Sequence, residues 1–316
     1  MIEKIRKLIN QGKKFLITTH IDPDGDALGS AFSMCWALRS SGKAADVYLK
    51  DTVPYRYTFL PEPRVTHALP SDRYDAVFVL DCGSLFRVGE GYEKLKEMGT
   101  LVNIDHHNTN EAFGAVNLVD EYASSTAEIL YRLYRSLEMP VTPEMAINIY
   151  TAIFTDTGSF RYDNTTSNAF LICEKMTRVG VNPAYVSRMI HENHPKERLI
   201  LLGLVFSTME TYNMDRIATV CVTKEMLAKT KAKKEYTDGF VEYIREIRGV
   251  EVAVLIREIN KRKYKISMRA KGNVDVAAVC RDFGGGGHKN AAGCVIDGVL
   301  GEVKKQLKER FNEEFI

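Results

Sequence analysis

A chain of 316 residues is long enough for two domains of roughly 150 residues each. Hydrophobic residues at 45% and charged residues at 27% exclude a disordered or collagen-like polymer. The 43 Lys and Arg against 41 Asp and Glu leave a net charge of +2, without the basic excess of a long duplex-binding surface.

Apolar runs such as Leu199 to Phe206 fall far short of the ~20 residues that cross a bilayer, so no membrane partner is expected. The N-terminal stretch reads as an amphipathic helix and lacks a signal peptide's apolar core. Six cysteines (Cys35, Cys82, Cys173, Cys221, Cys280, Cys294) form no CxxC pair, which predicts buried thiols in a cytoplasmic protein.

The first half alternates strand and helix. Lys14 to Thr19 is a β-rich run ending at His20, followed by a helix from about Ala27 to Ser41-Gly42. Ala76 to Leu80 is an apolar run ending at Asp81, and Leu101 to Ile104 is another ending at Asp105. Near-continuous apolar strands separated by helices predict a parallel sheet covered on both faces. Helices are expected over Ser125 to Glu138, Pro143 to Phe154, Ser167 to Val179 and Ala184 to His191, with a helical linker over 191–210. The predicted fold is α/β: a parallel-sheet domain over 1–190 and a smaller mixed α/β domain over 211–316. Strands are expected there at Ile217 to Val222, Val250 to Ile259 and Lys263 to Arg269, with a closing helix at Leu300 to Phe315.

His20, Asp24 and Asp26 form an HxxxDxD motif on the loop between the first strand and its helix. One nitrogen and several hard oxygens suit manganese, iron, cobalt or magnesium. An Asx turn and helix cap explain this segment alone equally well, with Asp26 placed to cap a helix at Ala27. The other segments decide between the two. Asp81, the Asp105-His106-His107 triplet and Asp156 each follow an apolar run, and three of the seven histidines lie in these motifs. Capping does not explain four elements that each present Asp or His. Ligands of open α/β sheets sit at the carboxyl ends of strands, so these residues should converge.

The four motifs resemble those of the DHH phosphoesterase superfamily, which includes RecJ-like exonucleases and family II pyrophosphatases. Gly284-Gly285-Gly286-Gly287-His288 and the residues to Gly293 resemble the signature of the DHH-associated C-terminal domain. The short architecture is similar to the nanoRNase and pAp phosphatase branch, which also contains enzymes cleaving pApA, the linear product of cyclic di-AMP. The resemblance implies two divalent ions, usually Mn2+, with Mg2+ and Co2+ as alternatives. His20 and Asp24 would hold one ion, and Asp26, His106 and Asp156 the other, with Asp81 bridging. His107 would face the substrate phosphate and Asp105 would orient the histidines. Asp22, uncharged in many relatives, is read as a turn residue or an outer partner. Four ligand carboxylates would balance two divalent ions, and the pair would activate a bridging hydroxide. The resemblance also implies an active site in the interdomain cleft and a homodimer.

The consecutive glycines permit close backbone approach to an anion, and a flexible hairpin tip is the competing reading. Relatives use this loop and a nearby arginine to bind substrate, which points to Arg269, Ser267, Gly284, Gly285, Gly286, Gly287 and His288. Arg161 is a further phosphate ligand or a surface partner of Asp163. His191 and His194 read as surface histidines, and Cys82 as a packing residue. The expected activity is metal-dependent hydrolysis of di- to pentanucleotides to mononucleotides, with removal of the 3′-phosphate of pAp. Pyrophosphate or polyphosphate hydrolysis is the alternative on the same core, and a non-catalytic nucleotide-binding regulator is another.

Overall fold

The computed structural model describes residues 1–314, and the side chains of His288, Glu313 and Glu314 lie outside the described residues. The expected helix end at Phe315 lies outside them too. The chain folds as two compact units, Met1–Asn193 and His194–Ile316.

The first unit runs α1 (Ile2–Gln11), β1 (Lys14–Thr18), α2 (Gly25–Ser40), β2 (Ala44–Tyr48), β3 (Val65–Thr66), β4 (Ala76–Leu80), α3 (Leu95–Met98), β5 (Thr100–Asp105) and β6 (Val116–Val119). Four helices follow: α4 (Thr126–Ser136), α5 (Pro143–Asp156), α6 (Ser167–Val179) and α7 (Pro183–His191). The six strands form one sheet in the order β3-β2-β1-β4-β5-β6, and every pairing is parallel. Side chains alternate across it. Phe15, Ile17, Phe78, Leu80, Val102 and Ile104 pack toward the helices, while Leu16, Val77, Val79 and Leu101 fill a second core on the other face. The strand order reverses between β1 and β4, so their carboxyl ends frame a crevice.

Helix α2 begins at Gly25, two residues before the sequence expectation. The reason is its cap: Asp24 Oδ1 accepts from the amides of Asp26 and Ala27 at 3.1 and 3.0 Å. Asp26 therefore does not cap this helix. Helix α2 is buried on nearly all sides because α5 lies directly against it. A Cβ on Gly25 would stand 2.2 Å from Thr155 Oγ1, and one on Gly29 would stand 2.5 Å from the Asn148 carbonyl oxygen.

The second unit runs α8 (Lys196–Phe206), β7 (Glu210–Tyr212), β8 (Ile217–Val222), α9 (Lys224–Thr230), α10 (Phe240–Arg245), β9 (Val252–Asn260) and β10 (Lys263–Ala270). It ends with α11 (Val276–Asp282), β11 (Gly286–His288), β12 (Ala291–Asp297) and α12 (Leu300–Glu314). Its sheet order is β11-β12-β10-β9-β8-β7, parallel only between β8 and β9. The stretch read as a linker carries α8, whose Leu201 and Val205 lie in this unit's core. Among the described residues no helix is long and apolar enough to cross a membrane.

The α2–α5 contact yields a stability prediction. Gly29→Ala gains ~1 kcal/mol of helix propensity but forces the two helices apart, at an overpacking cost in the upper part of the usual range, ~2–3 kcal/mol. With backbone as the obstacle the cost should win. Urea denaturation of the variant should show a net loss of ~1–2 kcal/mol, and unchanged or raised stability would refute the tight contact.

Candidate metal centre

The motif residues arrive from four directions at the carboxyl ends of neighbouring strands. His20 follows β1, Asp81 follows β4, Asp105 ends β5 with His106 and His107 beyond it, and Asp156 ends α5. Ligand atoms of His20, Asp24 and Asp81 lie within 4.8 Å of one another, as do those of Asp26, His106 and Asp156. Asp81, His106 and His107 form a third such set.

Asp81 stands between the two groups. Its Oδ2 is 3.6 Å from His20 Nε2, and its Oδ1 is 3.6 Å from His106 Nε2 and 3.7 Å from His107 Nδ1. His106 Nε2 is also 3.8 Å from Asp26 Oδ2 and 3.7 Å from Asp156 Oδ2. These separations are too long for hydrogen bonds. Two ligands about 2.1 Å from a shared ion stand roughly 3.0–3.6 Å apart, close to the distances found. A mixed set of imidazole nitrogens and carboxylate oxygens fits divalent transition metals.

Each imidazole is held by its other nitrogen. His20 Nδ1 faces its neighbour's carbonyl, Ile21 O, at 2.8 Å, and His106 Nδ1 faces Ala123 O at 3.3 Å. A carbonyl can only accept, so both rings carry the proton on Nδ1 and present Nε2. His107 Nδ1 donates to Asp105 Oδ1 at 2.7 Å. Asp105 thus orients His107, whereas a backbone carbonyl orients His106.

Asp26 caps a helix after all, but not its own. Its oxygens accept from the amides of Thr126 and Ala127 at 2.6 and 3.1 Å, at the start of α4, and from Ser30 Oγ at 3.0 Å. The positive end of α4 offsets some of the cluster's negative charge. Asp81 takes a left-handed conformation, φ 52°, that costs ~1–3 kcal/mol outside glycine. Its amide bond to Ile104 O and the Thr126 hydroxyl on its Oδ1 hold it there.

The charges shift one another. Burial alone would lower the His106 imidazole, but Asp156, Asp81 and Asp26 push it up to about 10. Burial and neighbouring carboxylates raise Asp156 to about 6, and burial with Asp81 raises Asp26 well above the carboxylate range. Burial would raise Asp81 as well, yet three imidazoles hold it strongly down.

Three asparagines that spacing alone does not mark support the site. Asn110 Nδ2 donates to Asp105 Oδ2 at 2.6 Å and to Asn103 Oδ1 at 2.8 Å, while Asn103 Nδ2 donates to the carbonyls of Val79 and Cys82. Asn164 Nδ2 reaches Asp156 Oδ2 and the Ser124 carbonyl. The only sequence signal is an amide beside each motif. Asp22 is a left-handed turn residue whose amide donates to Asp51. Buried Cys82 donates its thiol to Ser84 O, as a packing residue would.

In the second unit the glycine run is not an open loop. The amides of Gly284 and Gly285 donate to the Arg281 and Cys280 carbonyls and close α11, so they are spent. Gly286–His288 forms the edge strand β11. A Cβ on Gly287, at φ 143°, would stand 2.4 Å from Ala291 O, which is why the hairpin needs glycine. Arg269 Nε donates to Glu242 Oε1 at 2.9 Å, and Ser267 is half-buried on the same face of β10. Register places Gly293 between Ser267 and Gly286, and Ala291 between Arg269 and His288. The His288 side chain, named with the substrate-binding residues, lies outside the described residues. Arg161 folds back to donate to Gly158 O at 2.8 Å.

A parallel sheet ending in imidazoles and carboxylates at its switch point defines an α/β protein with a metal-competent centre. The chain belongs to the DHH family: residues 14–153 match the DHH family, N-terminal domain, and residues 217–315 match the DHHA1 domain. It is 31% identical to the bifunctional oligoribonuclease and PAP phosphatase NrnA of Thermus thermophilus, over 94% of this chain and 89% of that protein. The Bacillus subtilis protein of the same name is 24% identical over 93% of this chain and 95% of its own length. Among solved structures, an exopolyphosphatase-related protein from Bacteroides fragilis is 27% identical with a TM-score of 0.92, covering 99% of this chain and 96% of that one. RecJ from Thermus thermophilus, at 12% identity and TM-score 0.56, shares the fold over 99% of this chain and 54% of its own.

The raised His106 value sets the sign of a pH effect. An ion on His106 Nε2 must replace the proton that the surrounding carboxylates stabilise there. Binding should therefore release protons at pH 7, and affinity should rise as pH approaches 10. Calorimetric titration in buffers of different ionisation enthalpy checks this. Zero net proton release at pH 7 would contradict it.

Proposed function

We propose that this chain hydrolyses phosphate esters of very short nucleotides, releasing mononucleotides from di- to pentanucleotides and removing the 3′-phosphate of pAp. The observation that carries the reading is the set of three overlapping ligand groups, joined through Asp81 and His106, in a chain whose curated relatives are named oligoribonuclease and PAP phosphatase.

In this reading His20 and Asp24 hold one divalent ion, Asp26, His106 and Asp156 hold a second, and Asp81 serves both. Manganese suits this mixture of nitrogen and hard oxygen donors, as do magnesium and cobalt. When bound, such ions supply Lewis acidity toward a phosphoryl group and a water-derived nucleophile near neutral pH. The chain's own contribution is position. Asp105 and Asn110 fix His107 through Nδ1, so that Nε2 is the atom facing the substrate phosphate and the atom through which a proton is gained or lost. Arg269, Ser267 and the segment from Gly286 to His288 bind the part of the substrate remote from the cleaved bond, with Gly284 and Gly285 shaping the turn that leads into that segment and Arg161 a further phosphate ligand. Glu242 holds the Arg269 guanidinium in one orientation, which suits two-pronged phosphate recognition. Six free, buried cysteines favour a reducing, cytoplasmic setting.

The structural relative described as exopolyphosphatase-related favours a second reading, hydrolysis of inorganic polyphosphate on the same core. One panel separates them: pAp, pApA, a 5-mer, a 24-mer and polyphosphate, each with manganese. The rate per end should fall at least ~10-fold from dinucleotide to 24-mer, because binding energy realised only in a fully gripped short substrate lowers the barrier by ~1.4 kcal/mol or more. Equal efficiency on the 24-mer would overturn the short-substrate reading, and turnover of polyphosphate alone would establish the alternative.

A further inference from the structure

A cleft of about 280 Å3 opens beside His107, with Asn108, Val119, Asp120, Glu121 and Tyr122 in its walls. Tyr122 is 83% exposed and Val119 39%, so the cleft carries two apolar side chains open to solvent. The turn that bears Tyr122 is tied at both ends to the segment that bears the histidines. At one end Asp120 N donates to Asp105 O at 3.1 Å; at the other, Ala123 O faces His106 Nδ1 at 3.3 Å. The Asp120 carboxylate braces the turn from inside, accepting from Tyr122 N at 3.1 Å and from Arg132 at 2.6 Å. Tyr122 thus stands one residue, ~3.8 Å between Cα atoms, from the residue whose carbonyl orients His106.

The lining decides what the cleft can take. Among the described residues no lysine or arginine lines it, and Glu121, exposed beside the paired Asp120, adds a negative charge. A phosphate or a polyphosphate chain is disfavoured there. A flat, neutral ring with polar edges suits it instead. Every base has a face that can stack on a tyrosine ring, and its edge donors and acceptors match the Glu121 carboxylate and the exposed Asn108 amide. The volume lies near the lower end of small-molecule sites, ~300–1,000 Å3, which is room for one ring system and not for a whole dinucleotide. His107 faces the attacked phosphate in the reading above, so the base of that same nucleotide comes within reach of the cleft.

We propose that this cleft is a nucleobase subsite, in which Tyr122 stacks on the base of the nucleotide that carries the attacked phosphate while Asn108 and Glu121 meet its polar edge. The subsite rests on the short-nucleotide reading and deepens it. It makes the base, and not the phosphate alone, a requirement for tight binding, and so separates nucleotides from inorganic polyphosphate.

The test is calorimetric titration of the manganese-loaded full chain with AMP and with ribose 5-phosphate, which keep the same phosphate and differ only by the base. Wild type should bind AMP ~10-fold or more tighter than ribose 5-phosphate, the worth of one stacked base. Tyr122→Ala should shrink that ratio to under ~3-fold, and Tyr122→Phe, which keeps the ring, should preserve it. Because Tyr122 is so exposed, neither substitution disturbs the core. A wild-type ratio near one, or a full ratio in Tyr122→Ala, overturns the subsite. Failure of the hydrolase reading shows separately: the base preference and its dependence on Tyr122 remain, but pApA is not cleaved.

Discussion

Mutual repulsion among Asp24, Asp26, Asp81 and Asp156 is the constraint around which the first unit is organised. Carboxylates this close oppose one another's ionisation, and burial of Asp26 and Asp81 removes the water that would screen them. The protein answers with three imidazoles and the amino end of α4. That is enough to hold Asp81 ionised but leaves Asp26 and Asp156 pushed upward. Bound divalent cations would supply the balance that lets Asp26 and Asp156 ionise beside Asp81.

The fold makes this crowding affordable by dividing it among rigid elements. The sheet's switch point sets the ends of β1, β4 and β5 side by side, which brings His20, Asp81 and the Asp105-His106-His107 segment together. Asp26 belongs to α2 yet bonds to the first amides of α4, so one side chain serves both the cluster and the seam between two helices. Gly25 and Gly29 allow α2 to lie against α5, and the far end of α5 carries Asp156. Helix packing and ligand geometry are therefore the same constraint seen at two distances.

Much of this was legible in the sequence because the informative residues interrupt apolar runs. A buried strand such as Ala76 to Leu80 needs no polar side chain, so Asp81 at its end stands out, as does Asp105 after Leu101 to Ile104. Position along the chain does not reveal partners across space. Asp26 looks like a cap for its own helix, but Asp24 caps that helix and Asp26 caps α4. Asn103, Asn110 and Asn164 act through contacts up to 40 residues away in sequence, and local spacing carries no sign of them. The strands β2, β3 and β6 escaped notice because each has half-buried or exposed positions that interrupt an apolar run, and β3 and β6 are also too short to set a period. The glycine run reads as a loop by composition, and only the approach of β12 shows why an edge strand needs residues without a Cβ. His191 reads as a surface histidine and is exposed, but its bond to Ser159 depends on a left-handed turn that spacing does not announce.

The central claim is that Asp81 joins two metal positions into one centre. Its two oxygens face different imidazoles, His20 and His106, each 3.6 Å away, so in this reading removing the carboxylate would weaken both metal positions at once. Metal content per chain, measured by equilibrium dialysis with manganese for wild type and Asp81→Ala, tests this directly, with circular dichroism to check that the variant is folded. Wild type should hold two ions and the folded variant at most one, weakly bound. A folded Asp81→Ala chain that retains two ions at wild-type affinity would contradict the shared centre.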